Sequence, residues 1–329
     1  MKKSIIYIII VSMISLVCFF LFEKNKIKKY NYNLFYMDTY INVTIYTNKN
    51  PQKVFDEIDN IYKDYHNLTD KYNPVAGVNN IYYINNCIDE VDTIKIDKRL
   101  YDLLSYGLSW YEKSNELLNI NMGNILDVWK KYRDLGYGVP TADELKQDID
   151  IKKIVLLDNN QILNNNPNID LGAIAKGYVT EIVGNFLEEN GYDKYIINAG
   201  GNVKVGNHYN NGKYKIGIEN PNDTSKIYKI INSNNISVVT SGSYQRFYEY
   251  NGKKYSHIIN PNTGYPSEYM KSVTVITKNS AMADALSTTL FLMSIEDGMK
   301  YVDNIDGVEV IWVSNNDEII TTNGVSKYE

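Results

Sequence analysis

Ile5 to Phe22 (IIYIIIVSMISLVCFFLF) is an unbroken apolar run without a charged side chain. As a helix it would be about 27 Å long, enough to cross the hydrocarbon core of a bilayer. No small-x-small cleavage site follows it; the next residues are Glu23-Lys24-Asn25-Lys26. Cys18 follows Ser15-Leu16-Val17, which lacks both the Leu three places before and the small residue just before that mark a lipidated cysteine. An uncleaved anchor is therefore expected, spanning residues 5–22, with residues 23–33 as a charged tether. The lysines do not orient it, because Lys2 and Lys3 precede the run while Lys24, Lys26, Lys28 and Lys29 follow it.

Residues 1–30 carry a net charge of +5 and the whole chain −5, which leaves −10 on residues 31–329. An acidic body without a basic aromatic stripe argues against nucleic acid as a partner. With 44% hydrophobic and 22% charged residues, the chain is neither disordered nor collagen-like and can bury a sizeable core. Its two cysteines, Cys18 and Cys87, are placed too differently to pair. There is no CxxC, and His66, His208 and His257 are too far apart in sequence to indicate a His-rich zinc site.

No linker divides the chain after Met37, so two segments are expected: an anchor and tether over 1–30, and one body over 31–329. Val54, Phe55, Ile58, Ile61, Tyr62 and Tyr65 share one helical face. So do Leu100, Leu103, Leu104, Leu108 and Tyr111, and again Ile174, Tyr178, Ile182, Val183 and Phe186, with Gly191 placed to stop that helix. A single long helix is expected from Ser280 to Met299, capped by Asn279 or Ser280. Strands are expected at 40–47, 195–205, 214–219, 236–239, 272–277, 308–313 and 318–322 from their β-branched and aromatic content. The predicted class is α+β: a single mixed-sheet domain with packed helices behind an N-terminal membrane anchor.

P-loop, Rossmann and GxSxG signatures are all absent. Four short segments carry the remaining chemistry. In Asp170-Leu-Gly-Ala-Ile-Ala-Lys-Gly-Tyr178, small residues open a helix whose free N–H groups and positive dipole end suit a phosphate, with Lys176 beside them. Tight helix–strand packing with a surface lysine explains that segment equally well. Asn198-Ala-Gly-Gly-Asn202 permits positive φ or a close backbone approach, or is simply a hairpin turn. His257 ends a strand-like run before Asn260-Pro261, where a near-neutral imidazole can take a proton from a hydroxyl; a hydrogen-bonded structural histidine is the alternative. Asp284 and Thr288 share a helical face, an oxygen pair that suits Mg²⁺, unless Thr288 bonds back to the Asp284 carbonyl.

Taken in order, DLGAIAKGY, NAGGN, TSGSYQR, HIINPNTGYP and ADALSTT resemble the ApbE family of FAD:protein FMN transferases. The resemblance runs from Met37-Asp-Thr39 to the strands near Val313. It includes Tyr72 in KYNP, Leu117–Gly123 with Trp129 beyond, and Pro140–Glu144. It implies an ApbE-like fold and an Mg²⁺-dependent cleavage of FAD that moves FMN to a Thr or Ser hydroxyl of a target protein and releases AMP. It also implies roles: His257 as the base; Met37, Tyr72, Leu117, Leu118, Asn119, Asp170, Lys176 and Ile258 on FAD; Asp284, Thr288 and the Ala173 carbonyl on the metal. Acceptors would be subunits of membrane electron-transfer complexes, met by a body on the extracytoplasmic side. Four positions depart from the family pattern: Asp38 where Gly is usual, and Asn260, Glu181 and Asn119 where Asp is usual. An FAD pyrophosphatase and a flavin-binding protein without turnover are the competing expectations.

Overall fold

Apolar stripes at helical spacing and β-rich runs become layers around one sheet. In the computed structural model the described residues are 26–88 and 91–329, with Tyr7 and Met13 before them. The chain begins with β1 (Lys28–Tyr36), β2 (Thr39–Thr47), α1 (Gln52–Thr69), α2 (Ile81–Asn86), β3 (Thr93–Lys95), α3 (Lys98–Lys113) and α4 (Gly123–Leu135). After β4 (Leu156–Leu157), β5 (Gln161–Leu163) and α5 (Ala175–Glu189) come β6 (Tyr195–Ala199), β7 (Asn202–Val205), β8 (Tyr214–Asn220), β9 (Asp223–Ser233) and β10 (Ile236–Gly242). The chain continues through β11 (Phe247–Tyr250), β12 (Lys253–Ser256), β13 (Ser272–Thr277), α6 (Ser280–Phe291), α7 (Ile295–Val302), β14 (Glu309–Val313) and β15 (Ile319–Thr321).

The main sheet runs β1-β2-β6-β7-β10-β13-β14-β15, and each of its pairs is antiparallel. This corrects the mixed sheet expected from the sequence. Strand composition marks which residues are extended but carries no direction; here every excursion, helical or hairpin, returns the chain to the end it left. Alternation along the strands then separates two cores. Val43, Val273, Val275, Val310 and Trp312 face α1, α3, α5 and α6, whereas Val238, Ile276 and Ile311 face the β8–β9 hairpin.

Three further expectations change. Residues Lys28 onward pair with β2, so Lys28–Asn33 belongs to the sheet and not to a tether, and a boundary at residue 31 would cut β1. The helix expected over 280–299 is broken after Phe291, because Ser294 caps α7 through the Asp297 N–H (3.1 Å) and Ser267 Oγ donates to the Phe291 carbonyl (2.6 Å). The helix α4 around Trp129, the strand β9 that pairs with the expected β8, and the hairpin β11–β12 add elements that the sequence patterns did not delimit. The apolar run 5–22 lies outside the described residues apart from Tyr7 and Met13. Among the described residues no helix is long and apolar enough to cross a membrane.

The helices α5 and α6 cross in close contact. A Cβ on Gly177 would lie 2.3 Å from Asp284 Cβ and 2.5 Å from the Ser280 carbonyl oxygen. Gly177→Ala is expected to force α5 and α6 apart at a cost of about 1–3 kcal/mol, read from the urea midpoint.

Candidate active site

A cleft of about 1470 Å³ opens between the ends of the central strands and the start of α5. Pockets for drug-sized ligands hold about 300–1,000 Å³, so this one has room for a ligand larger than a mononucleotide. All twelve residues nominated from the sequence line it: His257, Met37, Tyr72, Leu117, Leu118, Asn119, Asp170, Lys176, Ile258, Ala173, Asp284 and Thr288. They come from six separate stretches of chain.

The hairpin turn between β1 and β2 is made by Met37 and Asp38, both in the left-handed region (φ 51° and 55°), and the Met37 N–H donates to His66 Nδ1 (3.3 Å). Next to it lies the turn between β6 and β7. There Gly200 has φ +60° and approaches Thr39 so closely that a Cβ would fall 2.0 Å from its hydroxyl oxygen. Glycine is required at that position for both reasons.

At the opposite wall Tyr72 is half exposed, with the Lys71 ammonium 5.2 Å and the Lys130 ammonium 5.8 Å from its ring centre. Lys71 itself is only 7% exposed and forms ion pairs with Asp127 (2.9 Å) and Asp170 (3.1 Å). Burial opposes its charge, but Asp170, Tyr72 and Asp127 together outweigh burial and raise its pKa. The other oxygen of Asp170 accepts the Gly172 N–H (2.9 Å), which shapes the turn that leads through Ala173 into α5. Leu118 is buried with its N–H on Ser114 Oγ, and Asn119 donates to the Ile149 carbonyl (2.8 Å) while accepting the Asn121 N–H (2.8 Å). An aspartate at 119 could not make the first of these bonds.

Lys176 projects from the first turn of α5, its ammonium 3.2 Å from the Gly172 carbonyl. One residue on, the Gly177 N–H donates to Asp284 Oδ2 (2.7 Å). Asp284 is 5% exposed, and among the described residues no ion pair reaches it. Burial raises its pKa, against the opposing pull of Lys176 and of the Gly177 N–H. The back-bond considered for Thr288 is made by Ser287 instead, whose hydroxyl donates to the Asp284 carbonyl (2.9 Å). A buried carboxylate lacking a cationic partner, a threonine hydroxyl one turn away and a loop carbonyl at Ala173 fit a hard cation that completes its shell with water or phosphate oxygens. Among the described residues there is no cluster of three or more His, Cys, Asp or Glu side chains for a metal, so protein oxygens alone would hold such an ion loosely.

His257 follows β12 and leans on one carbonyl. Both its N–H (3.0 Å) and its Nδ1 (3.1 Å) meet the Arg246 oxygen. A carbonyl only accepts, so Nδ1 carries the proton and Nε2 is the free acceptor. Burial first, then the Lys176 ammonium, with Arg246 and Arg133 behind it, lower the imidazole to about 4. His257 is therefore neutral at pH 7. The β11–β12 hairpin that carries it rests on Trp129, which stacks on Tyr255 (5.7 Å between centroids) and donates to the Gly264 carbonyl (2.7 Å).

Lys71, Arg246 and Asp127 were not nominated from sequence. Lys71 and Asp170 are too distant in the chain for spacing to reveal their pairing; the one available hint was a lysine beside the nominated Tyr72. The departures from the family pattern also find local partners. Asp38 pairs with Arg246 through its carboxylate (3.0 Å) and its carbonyl (2.7 Å). Glu181 accepts from Lys204 (3.0 Å) and from the Ser280 N–H (2.6 Å). Asn260 turns back on the Asn262 N–H (2.9 Å) within its own turn.

This fold and this cleft are those of a flavin-transferase-like family, and residues 37–312 match the ApbE family. The chain belongs to that family. It is 30% identical over 235 residues to an FAD:protein FMN transferase of Klebsiella pneumoniae, covering 69% of this chain and 72% of the relative. It is 29% identical over 254 residues to a protein of the same name from Treponema pallidum, covering 70% of each. Among solved structures, the ApbE protein of Thermotoga maritima superposes with a TM-score of 0.82 at 25% identity, covering 92% of this chain and 99% of the other.

Two outcomes are expected from this geometry. In ¹⁵N spectra His257 should keep its Nδ1-protonated neutral form from pH 7 to pH 5. Its folded value of about 4 lies below the unfolded value of about 6.5. Its contribution to stability is therefore constant above pH 6.5 and is lost as pH falls toward 4. Lys71→Met should destabilise the fold by about 2–3 kcal/mol in urea, less than for a fully buried pair because Asp127 is half exposed.

Proposed function

We propose that this chain transfers FMN from FAD to a Thr or Ser hydroxyl of an acceptor protein, releasing AMP. One observation carries the reading: a neutral histidine with Nε2 free lines the same cleft as the positive end of α5, Lys176 and a buried, unpaired carboxylate. That set matches phosphoryl transfer, in which the enzyme positions the nucleophile and neutralises charge. The related proteins named FAD:protein FMN transferase support it.

The acceptor hydroxyl gives its proton to Nε2 of His257 as its oxygen attacks the phosphorus on the FMN side of the pyrophosphate. The new P–O bond to the protein forms as the bond to the AMP phosphate breaks, and AMP leaves. Lys176, at the positive end of the α5 dipole, binds the phosphate oxygens. Pairing Lys176 with a phosphate also removes part of what holds His257 low, so substrate makes the imidazole a stronger base. Asp284, Thr288 and the Ala173 carbonyl would hold Mg²⁺, which when bound neutralises phosphate charge. Tyr72, half exposed at the wall, offers a ring for the isoalloxazine to stack on, and the Lys71–Asp170 pair keeps that wall fixed. The run 5–22 would anchor the body on the extracytoplasmic side, beside membrane electron-transfer acceptors.

The full chain incubated with FAD, Mg²⁺ and a candidate acceptor should yield an FMN adduct by intact mass, absent with EDTA and in His257→Gly. FMN and AMP release without adduct across authentic acceptors would instead establish a pyrophosphatase. FAD retained without AMP formation would establish a binding protein. Asp284→Ala should abolish the response to limiting Mg²⁺.

A further inference from the structure

Asn202 closes the turn between β6 and β7 and lines the cleft, yet it is 1% exposed. Its Oδ1 accepts the Ser280 hydroxyl (2.7 Å), while its Nδ2 has no hydrogen-bond partner among the described residues. Burying an amide donor unpaired costs about 1–3 kcal/mol, so such an atom calls for an explanation. Its position supplies one. Nδ2 lies 3.0 Å from where a Cβ on Gly177 would sit, at the first turn of α5. The bond from Ser280 orients the amide with its oxygen toward α6 and its NH₂ group away from that hydroxyl. The Asp284 carboxylate beside the same glycine already takes the Gly177 N–H on Oδ2. An NH₂ group is a donor only, so it has no use for a cation and needs an oxygen that accepts.

We propose that Asn202 is a ligand-binding residue whose Nδ2 donates to a phosphate oxygen of the bound dinucleotide. With Lys176 and the α5 N-terminus it forms a three-part cradle, contributed by a hairpin turn, a side chain and a helix end. The proposal rests on the reading of the cleft as a dinucleotide site.

The test measures affinity by calorimetry in the full chain carrying His257→Gly, so that substrate is not consumed. Three probes are used: FAD, ADP and riboflavin, the last without phosphate. Asn202→Ala should weaken FAD and ADP by about tenfold or more and leave riboflavin unchanged. Ser280→Ala removes only the orienting bond and should weaken FAD and ADP by less than Asn202→Ala does. Asn202→Asp keeps the oxygen toward Ser280 and serves if the alanine variant does not fold, with the same expected losses. Unchanged FAD and ADP affinity in the Asn202 variants would overturn the proposal. So would an equal loss in Ser280→Ala, or an equal loss for riboflavin. If the parent binds neither FAD nor ADP, the dinucleotide reading falls and this inference with it; the other outcomes overturn this inference alone.

Discussion

Where α5 crosses α6, the absence of a side chain at Gly177 lets two backbones approach to a distance that no other residue permits. The same approach delivers the Gly177 N–H to Asp284 and brings Lys176 to the cleft wall. One helix end, positive by its dipole, is thereby fixed against a carboxylate buried on another helix. Neither group would be placed if the helices packed at ordinary spacing. The Glu181 carboxylate holds the crossing from behind: it accepts from Lys204 of β7 and from the N–H that opens α6. Ser241 of β10 meets Ser287 of α6 at 2.8 Å and ties the helix to the sheet.

The proposed base is supported separately. His257 stands on a two-stranded hairpin outside the main sheet, and that hairpin is seated by the Trp129, Tyr248 and Tyr255 rings. Its carbonyl partner, Arg246, reaches across to Asp38 at the tip of β1–β2. The cleft is thus bounded by parts with independent supports, joined at its rim by one arginine. In the proposed reading an acceptor protein would meet this rim, while the Asp284 carboxylate lies deeper, where burial strengthens its charge.

Periodicity exposed what depends on local neighbours. The stripes at 54–65, 100–111 and 174–186 became α1, α3 and α5, and the β-rich runs became strands within a residue or a few of their expected limits, except that 195–205 folds back on itself as β6 and β7. Boundaries failed where a cap acted through tertiary contacts, as at Phe291 and Ser294, where Ser267 satisfies a helix-end carbonyl from another part of the chain. Strand direction was likewise not legible, because β-propensity has no sign. Segment by segment, the site motifs were ambiguous; their order along the chain carried the family resemblance, and the cleft brings all twelve nominated residues together.

By itself the sequence determined the small residues at 172–177, the histidine before its Asn-Pro turn and the Asp284–Thr288 spacing, since all three express local chemistry. Only the tertiary structure decided that Lys71 pairs with Asp170, that the Arg246 carbonyl leaves Nε2 of His257 free, and that Asn202 keeps a donor unpaired. Those outcomes depend on burial and on distances of a few ångströms between segments far apart in the chain. No local pattern encodes such distances, because a side chain's charge state and bonding partners are set by what packs around it.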